Sequence, residues 1–213
     1  MNLSLLLIIA ANVVVSLKGF NDFSFFERYK FNIGAIQRGE HIRSVTSGFL
    51  HVDYTHLFFN MITLYFFAPL VIRNFNGSKF LLIYFVSLLA GSLLATVFHK
   101  NEYHYSAVGA SGAVTGVLYS AILLQPGMKL FLFFIPIPIP AYIFGIGYLL
   151  YSIYGMKNRL GNIGHTAHFG GAIGGYLVTL LLMPSLVVEE TLMVILLAIP
   201  IVILFVLEKT GKI

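Results

Sequence analysis

Ser111 stands in Val108-Gly109-Ala110-Ser111-Gly112-Ala113-Val114-Thr115-Gly116, a run of small residues at the head of a long apolar stretch. A hydroxyl is a weak nucleophile until an adjacent base takes its proton, and imidazole has a pKa suited to that task near neutral pH. His168 opens a second apolar stretch, in Gly164-His165-Thr166-Ala167-His168-Phe169-Gly170-Gly171, and is the candidate base. His56 and Asn60 open a third. Four residues apart on a helix, they point the same way. With the backbone N–H of Ser111 at a helix start they form a candidate hole for the oxyanion of acyl transfer, where losing one donor costs about 2.7–4 kcal/mol of barrier. The acidic residues are Asp22, Glu27, Glu40, Asp53, Glu102, Glu189, Glu190 and Glu208, none of them inside an apolar stretch. A buried Ser-His-Asp triad is therefore not expected, and a Ser-His dyad is.

Each of these residues alone has a plainer role. A serine among glycines in a membrane helix is more often a packing residue, and a histidine near a helix end is more often interfacial. Strongly polar groups within apolar spans nevertheless point to function, and their coincidence on one side of the membrane carries the weight. His165, three residues before His168, reads as a loop or packing residue, because no carboxylate or thiolate stands near it to complete a metal site. His41, His99 and His104 read as solvated or interfacial.

The elements that position such residues must be membrane helices. Of 213 residues, 58% are hydrophobic and only 10% charged, with a mean hydropathy of +0.90, whereas soluble globules carry about 25% charged residues. The net charge of +5 comes from 13 scattered basic residues. They form no stripe or motif of the kind that nucleic acid requires, so no nucleic-acid partner is expected, and the charge suits anionic lipid headgroups. Cysteine is absent, which excludes disulfides, thiolate metal sites and a cysteine nucleophile. No H-E-x-x-H occurs and no Asp lies in a span, so intramembrane zinc and aspartyl proteases are excluded. A transporter would want carboxylates within the membrane. No cofactor and no metal are expected. Residues 1–17 have neither a basic leader nor a clear cleavage signature and read as a retained first span.

A membrane helix takes about 20 apolar residues, which divides the chain into seven candidates: 2–17, 56–72, 80–98, 107–124, 130–154, 165–182 and 191–207. Pro136, Pro138 and Pro140 cannot sit in a regular helix, so the fifth helix begins near Ala141 after an extended lead. Residues 18–55 mix six phenylalanines with basic and acidic side chains and read as a structured element in the membrane interface, not a span. With seven spans, the second, fourth and sixth start on one face, which sets His56, Asn60, Ser111 and His168 at similar depth. Gly109, Gly112 and Gly116, facing Gly170, Gly171, Gly174 and Gly175, supply small-residue faces that let two backbones touch and bring Ser111 to His168. The expected fold class is an all-α polytopic membrane bundle, one domain over residues 1–213.

Taken together, these pieces resemble the rhomboid intramembrane serine proteases. The matching residues are His51 with His56-Leu57-Phe58-Phe59-Asn60, then Gly109-Ala110-Ser111-Gly112, then Ala167-His168-Phe169-Gly170-Gly171 and on to Gly175. Arg43, eight residues before His51, is similar to the arginine of the family's first loop. The resemblance implies a rhomboid-like bundle of six core helices plus a seventh at 191–207, with residues 18–55 as a half-embedded first loop. It implies Ser111 as nucleophile, His168 as general base, and His56, Asn60 and Gly109 as groups that stabilise oxyanion or substrate. His51, Arg43, Gly112, Gly171 and Gly175 are implied as structural support.

The implied activity is cleavage of peptide bonds in or near transmembrane segments of other membrane proteins. The implied partners are those segments and the lipid bilayer, and a catalytically silent relative that binds membrane clients is the alternative. Three positions depart from the family pattern: Thr115, where an aromatic often stacks on the histidine; Ile72, where some members carry a glutamate that anchors the loop; and Ala68-Pro69, where glycines are common. The family orientation, in a bacterial inner membrane with the N-terminus inside, opens the site to the exterior. That leaves Arg73, Lys79 and Lys129 inside against ten basic residues outside, five of them in the first loop. The positive-inside bias points the other way.

Overall fold

The computed structural model describes residues 2–132, 135–158, 160 and 164–212. Helix α1 (Leu3–Asn21) starts where the Asn2 side chain accepts the Ser4 N–H at 2.9 Å. The first loop follows as α2 (Phe23–Tyr29), β1 (Phe31–Asn32), α3 (Ile33–Gln37), α4 (Arg43–Thr46) and a 3-10 turn (Ser47–Phe49). These are short pieces, and α2 and α3 are set going by local caps: Asp22 accepts from the Phe25 N–H and Asn32 from the Ala35 N–H. None is long enough to span. Helix α5 (Tyr54–Asn74) is capped by Asp53 on the His56 N–H at 2.7 Å, and α6 (Gly77–Phe98) by Asn76 on the Lys79 N–H. Pro69 lies within α5, as membrane helices tolerate. The chain continues through β2 (Ser106–Ala107), α7 (Ser111–Leu124), β3 (Lys129–Leu132), β4 (Ile135–Pro140), α8 (Ala141–Asn158), α9 (His165–Leu182), α10 (Leu186–Glu189) and α11 (Thr191–Lys209).

Helix α7 is the centre of the bundle. Every residue from 112 to 123 is buried, as a helix apolar on all sides requires. One core joins it to α1, α5 and α6 through Leu5, Leu64, Ile83, Tyr84 and Val117. A second joins it to α8, α9 and α11 through Tyr119, Ile122, Leu149, Phe169 and Leu197. The helical bundle expected from the apolar spans is thus the fold observed. Among the described residues, α1, α5, α6 and α11 are long and apolar enough to cross a membrane.

Two expectations need correction. The fourth helix begins at Ser111 and not at 107, because Ser106 and Ala107 pair antiparallel with Asn32 and Phe31 as the β1–β2 ladder. That ladder ties the first loop to the segment leading into the serine. The described residues of the 130–140 stretch are extended, not helical. Helix α8 does begin at Ala141, but the extended lead before it is one arm of a hairpin, with Leu130 opposite Ile139. Backbone N–H groups alternate edges along a strand, so prolines at every second position lose donors on one edge only.

Candidate active site

Two helices must touch before Ser111 and His168 can, and their glycines let them. A Cβ added at Gly171 would fall on the backbone carbonyl of Gly112, and one at Gly175 on that of Gly116. Ser111 is the first residue of α7 and His168 lies in the first turn of α9. The result is a contact of 2.6 Å between Ser111 Oγ and His168 Nε2, with the histidine only 6% exposed. Helix α6 closes on the same place: a Cβ at Gly91 would lie 2.6 Å from the Ala167 carbonyl oxygen. This third helix was missing from the sequence reading, although Gly91 was there to suggest it.

Above the pair lies an open cavity of about 470 Å³, lined by α5 (His56, Phe59, Asn60), α7 (Ser111, Thr115), α8 (Phe144, Tyr148, Tyr151) and α9 (His165, His168). Apolar walls with a few convergent polar groups are the usual form of a substrate site. Asn60 uses one amide N–H on the His56 carbonyl at 2.9 Å, which leaves its second donor for the cavity. No side chain caps α7, so none claims the first-turn N–H groups that begin with Ser111. Gly109 has φ +128°, and a Cβ there would stand 2.6 Å from His56 Cε1; both facts demand glycine. Its own N–H donates to the Ser47 carbonyl at 3.0 Å. Gly109 therefore gives His56 room and does not offer the cavity a free donor.

Residues 38–185 match the family model of the rhomboid domain. The chain belongs to the rhomboid family. This rhomboid is 31% identical over 182 residues to RHOMBOID-like protein 12, mitochondrial, of Arabidopsis thaliana, a match covering 78% of this chain and 54% of that one. It is 32% identical over 139 residues to Rhomboid protein 1, mitochondrial, of Saccharomyces cerevisiae, covering 64% and 40%. It is 32% identical over 142 residues to Rhomboid protease GluP of Bacillus subtilis, covering 66% and 26%. The matched region spans about half or less of the length of these relatives. With its apolar helices, this rhomboid is a multi-pass integral membrane protein.

Around the Ser111–His168 contact of this rhomboid stand two braces, His51 and Arg43, that do not line the cavity. His51 accepts the Ala110 N–H on Nε2 at 3.3 Å, so Nδ1 carries the proton and donates to Ser16 Oγ at 2.8 Å, which in turn donates to the Phe49 carbonyl at 2.9 Å. Burial, with His56 beside it, pulls the His51 pKa down to about 3. The ring stays neutral and links α1, the first loop and the start of α7. Arg43 gathers the first loop, donating to the carbonyls of Glu27 at 2.8 Å and Lys30 at 3.0 Å and pairing with Glu40 at 2.8 Å. His165 packs edge-on against Tyr151 and faces Gly155, where a Cβ would collide with its ring.

Tyr148 is the site residue that sequence reasoning missed. Thr115 stands where an aromatic was expected over the histidine, and Tyr148 fills the gap from α8, its ring 5.5 Å from that of His168 at 28°. Its Oη lies 2.7 Å from His168 Nδ1. Thr115 Oγ1 donates to the Ser111 carbonyl at 2.7 Å. Helix α8 carries Tyr142, Tyr148, Tyr151 and Tyr154, and nothing in the linear order distinguishes the one that reaches the histidine.

Proposed function

We propose that this rhomboid is an intramembrane serine endopeptidase that cleaves peptide bonds in or near transmembrane segments of other membrane proteins. The observation that carries this reading is the 2.6 Å contact between Ser111 Oγ and His168 Nε2 at the floor of an open cavity. Ser111 Oγ attacks the peptide carbonyl carbon while its proton passes to Nε2, and the electron pair of the carbonyl moves onto oxygen. The Ser111 N–H, Asn60 and His56 face that oxyanion. Collapse expels the amine, which takes the proton from His168, and water then releases the acyl group with His168 again as base. Neither a metal nor a cofactor enters these steps.

The substrate must present an exposed carbonyl, and a helix in hydrocarbon has all of its carbonyls bonded. Local unwinding is therefore required, and small or helix-weakening residues mark the cut. The 14 residues of α7 rise about 21 Å, less than the hydrocarbon thickness of about 30 Å, which suits a serine sunk below the headgroups. We take residues 1–213 as one membrane domain, set in a bacterial inner membrane with the N-terminus inside and the cavity open to the exterior. The excess of exterior basic residues is relieved by pairing within the first loop, Lys18 with Asp22, Lys30 with Glu27 and Arg43 with Glu40.

A charged, membrane-impermeant fluorophosphonate added to sealed right-side-out vesicles tests reaction and orientation together. Labelling of the intact protein from outside, absent in Ser111→Ala and His168→Ala, is the expected result. Labelling only after detergent would reverse the orientation. A folded protein that labels no better than Ser111→Ala would replace the protease with a silent protein that binds membrane clients.

A further inference from the structure

We propose that the cleft between α1 and α5, at the membrane face opposite Ser111 and His168, holds one anionic phospholipid, with its phosphate on Arg73 and an acyl chain running inward between the helices. The cleft has a volume of about 510 Å³ and is walled by Asn2 and Leu5 at the start of α1 and by α5 from Tyr65 through Pro69 to Arg73. Positions 65, 69, 72 and 73 share one face of a helix, and the rise from Tyr65 to Arg73 is about 12 Å. The cleft therefore begins at the membrane surface, where Arg73 stands in the last turn of α5, and reaches well into the hydrocarbon. Its lip is open to lipid and its floor is closed: Tyr65 is 51% and Phe66 64% exposed, whereas Leu5 is 1% exposed. His56 lies near the other end of α5, about 26 Å away by the helix rise. The site is thus separate from the cavity at Ser111 and does not depend on the chemistry proposed there.

Charge and shape together say what fills it. Arg73 is exposed and offers N–H donors in a fixed fork with no acceptor; among the described residues it has neither an ion pair nor a hydrogen-bond partner. Asn2 spends its side-chain oxygen on the Ser4 N–H, so only its amide donors remain for a ligand at the same mouth. No carboxylate competes, because the chain has no acidic residue before Asp22 and none between Asp53 and Glu102. Both walls of the cleft and the turn from α5 to α6 are free of negative charge, and Lys79 adds a second cation to that face. The mouth therefore selects an anion, and a planar guanidinium suits a phosphate through two parallel bonds. The depth selects the rest of the molecule. No water is available in hydrocarbon to fill a gap between helices, and its apolar walls lack dispersion partners until an alkyl chain supplies them. Free phosphate would satisfy only the mouth, and an uncharged lipid only the depth.

The test is native mass spectrometry of the full chain in detergent, titrated with phosphatidylglycerol or with phosphatidylcholine of the same acyl chains. One phosphatidylglycerol is expected to bind about 5- to 10-fold more tightly than phosphatidylcholine, whose choline cancels the phosphate charge. Arg73→Gln is expected to erase that preference. Lys79→Gln removes a cation from the same face but not from the cleft lining, and is expected to keep most of it. Ile72→Phe retains the guanidinium and fills the depth, so phosphatidylglycerol is expected to bind it more weakly than the wild type. Inorganic phosphate in excess is expected to leave the bound lipid in place. A preference that survives Arg73→Gln, or that falls as far in Lys79→Gln, would overturn the proposal, since only the general charge of that face would then be at work. Full binding by Ile72→Phe would remove the acyl chain from the cleft, and displacement by inorganic phosphate would leave an anion site with no lipid; either result also overturns it.

Discussion

His51 carries the structure's clearest statement about a single side chain. Its Nε2 accepts from the Ala110 N–H, one residue before the serine, and a proton on that nitrogen would set two donors against each other. The sign of the pH dependence follows. The pKa is about 3 in the folded protein against an ordinary 6.5, so between these values the unfolded chain binds the proton more, and stability present above about 6.5 is lost as pH falls towards 3. We expect His51→Gln to lower stability at neutral pH by about 1–3 kcal/mol and to flatten the fall of melting temperature across that window. Parallel curves for the two proteins would remove His51 as a titrating brace. At this scale the sequence was informative where polarity is expensive: Ser111, His168, His56 and Asn60 stood out because apolar spans give such residues few other reasons to exist. Tyr148 did not, since a tyrosine on a membrane helix is ordinary and the rotation of α8 is decided by packing. Gly109 was read as part of a helix-packing face; that it precedes the helix, makes room for His56 and spends its N–H on Ser47 was not visible.

Between helices, the decisive contact is backbone on backbone. Gly112 and Gly116 of α7 lie against Gly171 and Gly175 of α9 with no room for a Cβ between them. Gly171→Ala is therefore expected to push the two helix starts apart, costing about 1–3 kcal/mol of stability as an overpacked core does and removing most activity. Gly147→Ala on α8 is the control, because nothing stands within 4 Å of a Cβ there, and it is expected to melt no lower than the wild type. Equal melting and activity in both variants would mean that the α7–α9 contact does not seat the dyad. Where an element is bounded by its own residues, its limits were readable: 165–182 was expected and α9 is His165–Leu182, shortly before Pro184. Where a boundary depends on a distant strand it was not. Nothing near Ser106 announces Phe31 and Asn32, and the β3–β4 hairpin needs both of its arms to be seen as one.

For the molecule as a whole, the proposed reaction sets one difficulty, proton transfer inside a solvent that penalises charge. A carboxylate in the middle of a span would be costly, and the one acidic residue in the spanning helices, Glu208, stands at the very end of α11. Ser111, His168, Tyr148 and Thr115 form instead a network of neutral groups, held by a helix buried on all sides and opening to a cavity of about 470 Å³. The parity of the spans, read from hydropathy, put His56, Asn60, Ser111 and His168 at similar depth, and Ser111 and His168 do touch; the first loop that meets them through His51 and the β1–β2 ladder was legible from hydropathy only as an interfacial element. The central claim is that Ser111 and His168 together cut peptide bonds within the membrane. Its most direct test is incubation of the purified protein with a single-span reporter, beside Ser111→Ala and His168→Ala. The account predicts a cut within or next to the span by the wild type and background turnover by both variants; cleavage that persists in both would contradict it.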